Sequence, residues 1–500
     1  MQRKITIVLV MLLLISSISY AQDFIKLEER INGQIENGQL PSIAIGILKD
    51  GAIVYEKAFG YADLDEKVKS TIRTPYQLAS LTKPITATAI LKLHEQGVIS
   101  LDDPISKYVP VKKVDATFPD PSIRQVLNHT AGLGTYFDIF YADEKVESIP
   151  FETAWERYGT IFQKPGKVCE YSNLGYGLLD HIIAQKTSRT YGEYLKQQVF
   201  DPLDMEQSFV IEKSTTTNVQ LAKKYSADLK ALPHVWNNTP GAGNVAASVH
   251  DLLRFASFHL QNLTTDFLKP GTIQEMQEYR APDALFHYYQ DTYYGLGWYG
   301  MENDQGQKVV WHEGGMLGAS TVLKMYPKEN LAIVLLTNVY KPPICREITD
   351  EIAALMIPDY KPTALNEIAE YTNANTDAAF KGAWQGQMHI DGNKVPVSIS
   401  IGDEGVAINY LDYTMRSFFS DGQPLPYSTK LFMGVVNQGY FLGTGIGELP
   451  APDSRKGIRH LLSFKLFRDG TKLKGTIVSM AATEREYYAH PYYLVLEKKN

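Results

Sequence analysis

Apolar and polar positions alternate in distinct blocks along this chain. In "PSIAIGILKDGAIVYEKAFGYAD", beginning at Pro41, two apolar β-prone runs flank Asp50-Gly51, a dipeptide that favours a tight hairpin. From roughly residue 75 to 265 the period changes to that of helices and loops. One helix is expected from near Ser80 to Glu95, with Gly97 ending it. Strand patterning returns in "KVVWHEGGMLGASTVLKMYPKENLAIVLLTNV", where Lys328-Glu329-Asn330 supplies a turn, and a helical stretch around "CREITDEIAALM" follows. Strands at both ends with helices between predict one antiparallel sheet assembled from both ends of the unit and flanked by helices. A parallel sheet would need regular β/α alternation instead.

The pattern breaks near "IPDYKPTALNEIAEYTNANTDAAF", where Pro358 and Pro362 punctuate a polar stretch. The remainder is β-rich, with turn signals at Asp403-Glu404-Gly405 and Asp469-Gly470 between runs such as "VPVSISI" and "HLLSFKLF". The expected organisation is therefore a leader over residues 1–21, an α/β (α+β) domain over 22–357, a linker over 358–378, and a C-terminal antiparallel β barrel or sandwich over 379–500.

The leader reading rests on "MQRKITIVLVMLLLISSISYAQD": Arg3 and Lys4, an apolar run from Ile5 to Ile15, then Ser19-Tyr20-Ala21. That is the form of a secretory signal, too short and wrongly flanked for a stable membrane span. Cleavage after Ala21 would give a periplasmic or secreted protein. No cysteine follows the apolar run to carry a lipid. Export permits disulfides, but only Cys169 and Cys345 are present, and sequence does not say whether they meet.

Composition narrows the function. Apolar residues make up 44% and charged residues 21% of the chain, ordinary values for a globular protein, and the formal charge is −7. No Lys/Arg run resembles a phosphate-tracking stripe, so nucleic acid is not an expected partner. No His/Cys/Asp/Glu group has metal-ligand spacing, and neither metal nor cofactor is expected.

Chemistry enters at "YQLASLTKPITATAILKLHEQG". Ser80 and Lys83 lie three apart where the helical pattern begins, so they share one helix face. A serine hydroxyl becomes nucleophilic when a base takes its proton, and a lysine of depressed pKa can be that base. Such a pair alone is more often a capping serine followed by a solvated lysine, and about one is expected by chance in a chain of this length. Two further motifs change the balance. Tyr171-Ser172-Asn173 stands in a loop just before an apolar helical run; a tyrosine near cations can ionise in part and relay a proton, and an asparagine amide can orient a substrate carbonyl. A second match, Tyr371-Thr372-Asn373, lies in the linker without that context. The third motif is "WHEGGMLGAS": His312-Glu313-Gly314 on a strand, with Gly314 and Gly315 allowing close backbone approach and the Gly315 N–H serving with that of Ser80 as an oxyanion donor. Aromatic clusters at "YFDIFY" and "FHYYQDTYYGLGWYG" line either an apolar groove or, more ordinarily, the core.

The ordered set Ser80-x-x-Lys83, Tyr171-x-Asn173 and His312-x-Gly314 resembles the serine β-lactamase and penicillin-binding-protein superfamily, and within it the class C-type lactamases, DD-peptidases, D-aminopeptidases and related esterases. "AFGYAD", "VLNHTAGL", "FDPLDMEQS", "AGNVAASVHDLLRF", "YGLGW" and "LTNV" fit the same branch in order. The resemblance implies a transpeptidase-like fold and two-step acyl transfer to small-molecule or peptide substrates. Ser80 would be the nucleophile, Lys83 and Tyr171 would share the base and acid roles, and Asn173 would hold the substrate amide. The departure is at the third motif, where relatives that recognise penicillin carry Lys-Thr-Gly or Lys-Ser-Gly. Neutral His312 is a weaker anion partner, and Glu313 facing the pocket would repel a carboxylate. That favours an esterase, amidase or aminopeptidase over a penicillinase, with Glu313 available to a substrate ammonium unless strand alternation turns it away. A non-hydrolytic sensor that keeps the fold is the alternative. The C-terminal segment resembles, loosely, lipocalin-like modules appended to such hydrolases, with ligand binding, walling of the cleft and simple stabilisation all left open.

Overall fold

The computed structural model describes residues 24–143, 148–212, 221–263, 266–281, 285–286, 292–302, 306–362, 378–390, 393–402, 405–411, 429–437, 440–447, 460–482 and 487–499. The leader, the Tyr371 motif and most of the 358–378 linker lie outside these residues.

The Ser42–Lys49 run is apolar throughout because it is buried on both faces, and this places it inside a sheet. It pairs antiparallel with Ala52–Asp63 on one side and with Leu331–Thr337 on the other, so Ile43 faces both Phe59 and Thr337. The sheet is thus closed by segments nearly three hundred residues apart, as the strand pattern required. Its full order is Thr292–Tyr294, Tyr299–Glu302, Lys308–Met316, Ala319–Tyr326, Leu331–Thr337, Ser42–Lys49, Ala52–Asp63, Val68–Lys69, all antiparallel neighbours. Asp50 and Gly51 both have positive φ (51° and 80°), as a two-residue hairpin loop of matching twist demands. Asn330, also left-handed at φ 44°, closes the Lys328–Asn330 turn.

Alternation splits the side chains of this sheet. Ile43, Ile45, Ile47, Val309, Trp311 and Val322 face a layer made by the residue 24–36 helix and the Pro342–Met356 helix. Ala44, Leu48, Val310, Leu323 and Leu336 face the large helical layer that includes Thr82–Glu95, Asn173–Thr187 and Val249–His259. Gly46 lets that layer approach: a Cβ there would lie 2.7 Å from Leu253 Cδ1 and 2.9 Å from Val249 Cγ2.

The C-terminal strands run Gly382–Ile390, Asn393–Gly402, Gly405–Tyr410, Thr429–Asn437, Tyr440–Gly447, His460–Asp469, Lys472–Ala482 and Tyr487–Lys498, each pairing antiparallel with the next. Tyr487–Lys498 also pairs with Gly382–Ile390, so the sheet curls until it closes on itself as an up-and-down barrel. Its interior is filled, not hollow: Trp384, Met388, Val397, Ile399, Phe464, Leu466, Ile477 and Leu494 are buried together.

The barrel is hydrogen-bonded to the first unit. Tyr488 and Ala489 pair with Asp138 and Phe137, and Phe137–Tyr141 in turn pairs with Val235–Asn237. "YFDIFY" is therefore a packed strand and not a groove wall; Tyr136 and Tyr141 are buried. Cys169 and Cys345 are separate buried thiols, free of each other. Among the described residues, no helix is long and apolar enough to cross a membrane.

Candidate active site

Ser80 sits on a one-turn 3₁₀ segment, Ala79–Leu81, that leads directly into the Thr82–Glu95 helix. Ala79 is held at φ 49°, a left-handed conformation that an alanine avoids by about 1–2 kcal/mol. The surrounding bonds hold it there. Leu78 N–H donates to Val245 O at 2.8 Å, and Leu78 O accepts from Thr321 Oγ1 at 2.7 Å. Gly314 completes the clamp, since a Cβ there would stand 1.9 Å from Leu78 O. The third motif therefore supports the serine turn from the sheet side.

One helical turn on, Lys83 is fully buried. Its Nζ lies 3.1 Å from Ser80 Oγ, 2.6 Å from Asn173 Oδ1 and 2.9 Å from Ala242 O. No carboxylate is among those three contacts. Burial therefore drives its pKa well below the ordinary lysine value, which shifts the balance toward the neutral amine. A neutral amine has two N–H donors and one lone pair. Asn173 and Ala242 take the donors, which leaves the lone pair for the Ser80 hydroxyl.

Tyr171 precedes the Asn173–Thr187 helix, whose N-terminus is capped by Ser172 Oγ accepting from Gly175 N–H. The Tyr171 hydroxyl is hydrogen-bonded to Ser80, and Lys83 Nζ lies 4.6 Å from the Tyr171 ring centroid. Desolvation raises the Tyr171 pKa, so the expectation of a partly ionised tyrosine is not met: the resting group is a neutral phenol. The same burial lowers the pKa of the neighbouring Lys83, which weakens the cation that the expectation relied on.

His312 is brought to this cluster, with its ring centroid 6.4 Å from that of Tyr171. Nδ1 lies 2.7 Å from Glu313 O and Nε2 2.9 Å from the Tyr294 hydroxyl, so Nδ1–H donates and Nε2 accepts. Burial, with Lys83 nearby, lowers its pKa to about 3 and keeps it uncharged. Glu313 goes to the other face of the strand, 3.6 Å from Arg346 Nη2, where it lines a cavity of about 110 Å³ with Gly315, Tyr340 and Cys345. Of the two orientations the sequence left open for Glu313, the structure takes the one that removes it from a substrate ammonium. The side chains of a strand alternate, and the face that carries His312 to Lys83 carries Glu313 away.

Two residues outside the three motifs complete the cluster. His129 packs at a tilt against Tyr171 and Tyr294, with centroids 4.3 and 4.5 Å away, and its Nδ1 accepts from the Ser172 N–H at 3.2 Å. It holds φ 61°, in a turn fixed by Asn128 Oδ1 accepting from Thr130 N–H and Oγ1. Burial beside Lys83 and His312 lowers its pKa well below the ordinary histidine value. Nothing in local spacing marks His129; its stretch "VLNHTAGL" carried only the general resemblance. Tyr294, from the second aromatic cluster, is a ring of the site and the hydrogen-bond partner of His312.

An alcohol, a buried amine and a phenol thus share one hydrogen-bonded centre, with a carboxamide fixing the amine. The Beta-lactamase family profile covers residues 27–355. The chain belongs to the Beta-lactamase family. Among curated relatives, the protein Flp of Staphylococcus aureus strain MW2 is 29% identical over 337 residues, which are 64% of this chain and 65% of the relative. Similar solved structures include SurE bound to D-Leu (19% identity, TM-score 0.65, 94% of this chain and 99% of that one). Another is the D-amino acid amidase of Ochrobactrum anthropi SV3 complexed with D-phenylalanine (21% identity, TM-score 0.53, 65% of this chain and 96% of that one).

Proposed function

We propose that this chain is an exported serine hydrolase that forms an acyl-enzyme on Ser80 with ester, amide or peptide substrates. The observation that carries the reading is the pairing of Ser80 Oγ with Lys83 Nζ at 3.1 Å, in surroundings that disfavour the charged amine. On attack, the Ser80 oxygen bonds to the substrate carbonyl carbon and its proton passes to the Lys83 lone pair. The negative charge on the former carbonyl oxygen falls between the N–H groups of Ser80 and Gly315. Tyr171, a neutral phenol bonded to Ser80, donates the proton the leaving amine or alcohol needs and is reprotonated from Lys83. Water then repeats the sequence against the acyl group and releases Ser80. Asn173 holds Lys83 through its Oδ1 and has its amide N–H₂ for the substrate carbonyl.

Neutral His312 and the averted Glu313 favour substrates whose recognised end carries no strong charge at the third motif. The D-amino acid ligands of two structural relatives make D-aminoacyl amides and esters the first substrates to test. Ser80→Ala should abolish hydrolysis of p-nitrophenyl esters and labelling by a fluorophosphonate while leaving the melting temperature within a few degrees. Lys83→Ala and Tyr171→Phe should each slow acylation by about 10²–10⁴-fold. Mass spectrometry of the labelled protein with time reports turnover. A β-lactam or ester adduct that never leaves would overturn the hydrolase reading in favour of a sensor.

A further inference from the structure

The loop that delivers Tyr171 is held from outside its own unit. Glu170, the residue before it, is buried, and its Oε2 is ion-paired with Lys465 on the barrel strand His460–Asp469, 295 residues further along the chain. Both side chains are almost wholly enclosed, with exposures of 8% and 12%. Glu170 Oε1 accepts from Thr135 Oγ1 at 3.3 Å, and the same hydroxyl lies 3.1 Å from Tyr171 O. The Glu170 N–H donates to His129 O at 2.8 Å, while the Ser172 N–H donates to His129 Nδ1. Lys465 is backed by the Tyr440 ring, 5.7 Å from its centroid.

The barrel touches the same loops twice more. Tyr493 Oη donates to Thr160 O at 2.6 Å, with its ring 5.4 Å from that of Phe162. Pro491 lies so close to Gly134 that a Cβ there would stand 2.8 Å from Pro491 Cβ. Gly134 O in turn accepts from Ser172 Oγ, the cap of the Asn173 helix. Every residue flanking Tyr171 is therefore tied to a segment that the barrel presses on.

We propose that Lys465 is a positioning residue for the Ser80 centre: its buried ion pair with Glu170 fixes the height of the Tyr171 loop, so the C-terminal barrel sets the acylation geometry without touching substrate. This rests on the hydrolytic reading of Ser80. The physical basis is that the ion pair ties the residue before Tyr171 to the barrel. Removing either charge removes the tie, and a buried carboxylate left without its cation is in addition drawn toward water, so the Tyr171 loop is no longer held at one height. A shift of about 1 Å at a proton-transfer group lowers a rate by roughly 10²-fold.

The test uses the full chain. Lys465→Met and the charge-free double variant Glu170→Gln/Lys465→Met are compared with Lys465→Arg by ester hydrolysis, by the rate of fluorophosphonate labelling, and by amide exchange at residues 170 and 172. The expected result is a tenfold or greater loss of kcat and labelling rate in Lys465→Met with KM changed less than about threefold. Faster exchange at both amides should accompany it, with rates largely recovered in Lys465→Arg. If Lys465→Met does not fold, the double variant carries the same expectation, since it strands no charge. Native acylation rates with native amide exchange in either folded variant overturn the proposal. A native chain that never acylates overturns the hydrolytic reading instead, while the exchange difference still reports on the clamp.

Discussion

Lys83, His129, His259 and His312 are all buried basic groups with depressed pKa values, and each was placed there by packing and not by a neighbouring acid. For Lys83 this bears on the proposed chemistry: a lysine in water is protonated at neutral pH and offers no lone pair, so enclosure is what the proposed activation of Ser80 requires. For the histidines it is a stability statement. His259 and His312 have folded pKa values of about 3, below the unfolded value near 6.5. Between those values the unfolded chain binds the protons and the native one does not. Stability is therefore full above pH 6.5 and falls as pH drops toward 3, by about 1.4 kcal/mol per pH unit for each such histidine. Thermal melting across pH 7 to 4 should show the loss, with a shallower slope in His259→Gln; equal slopes would place the acid sensitivity elsewhere. The same residue scale explains one misreading and decides one question the sequence left open. Tyr171 was expected to ionise in part because cations lie nearby, but desolvation acts on phenol and amine together, raising the pKa of the one and lowering that of the other. For Glu313 the sequence left both faces of the strand open, and alternation puts it on the face away from Lys83.

Elements were legible where local chemistry fixes them. The Asp50-Gly51 hairpin, the Lys328–Asn330 turn and the helix ending at Gly97 all needed positive φ at the residue type that tolerates it, so the sequence marked them directly. The 3₁₀ entry at Ala79–Leu81 was not marked. Nothing about alanine announces φ 49°; that conformation exists because Thr321, Val245 and Gly314 hold Leu78 from three other elements. Gly314→Ala tests this. Its Cβ would sit 1.9 Å from Leu78 O and 2.2 Å from Thr321 Oγ1, and both are fixed. A loss of about 1–3 kcal/mol is expected, together with a larger loss in acylation than in folded fraction, because the displaced atom is two residues from Ser80. Denaturant titration alongside labelling rate separates the two effects.

At the scale of the whole molecule, the C-terminal strands were readable as an antiparallel barrel or sandwich, and closure of Tyr487–Lys498 onto Gly382–Ile390 makes them a barrel. Its attachment to the first unit was not readable. The pairing of Phe137 with Ala489 and the stack of Tyr136, Tyr158 and Tyr488 on His490 join segments more than three hundred residues apart. A chain ending after residue 360 should therefore be more than shorter. It exposes Tyr136, Tyr158 and Phe162 and strands Glu170, so a lower melting temperature and self-association in size exclusion are expected. A monomer with native stability would show that the barrel is an independent appendage.

Segment periods, turns and the three short motifs could be read along the chain, because each depends on residues within a few positions of one another and on side-chain chemistry that does not change with context. Only the tertiary structure decided which groups are charged, which way Glu313 points, that His129 and Tyr294 join the cluster, and that a barrel lysine reaches the residue beside Tyr171. Charge state and long-range contact both follow from what surrounds a side chain once water is removed, and that surrounding is assembled from parts of the chain that carry no mark of each other.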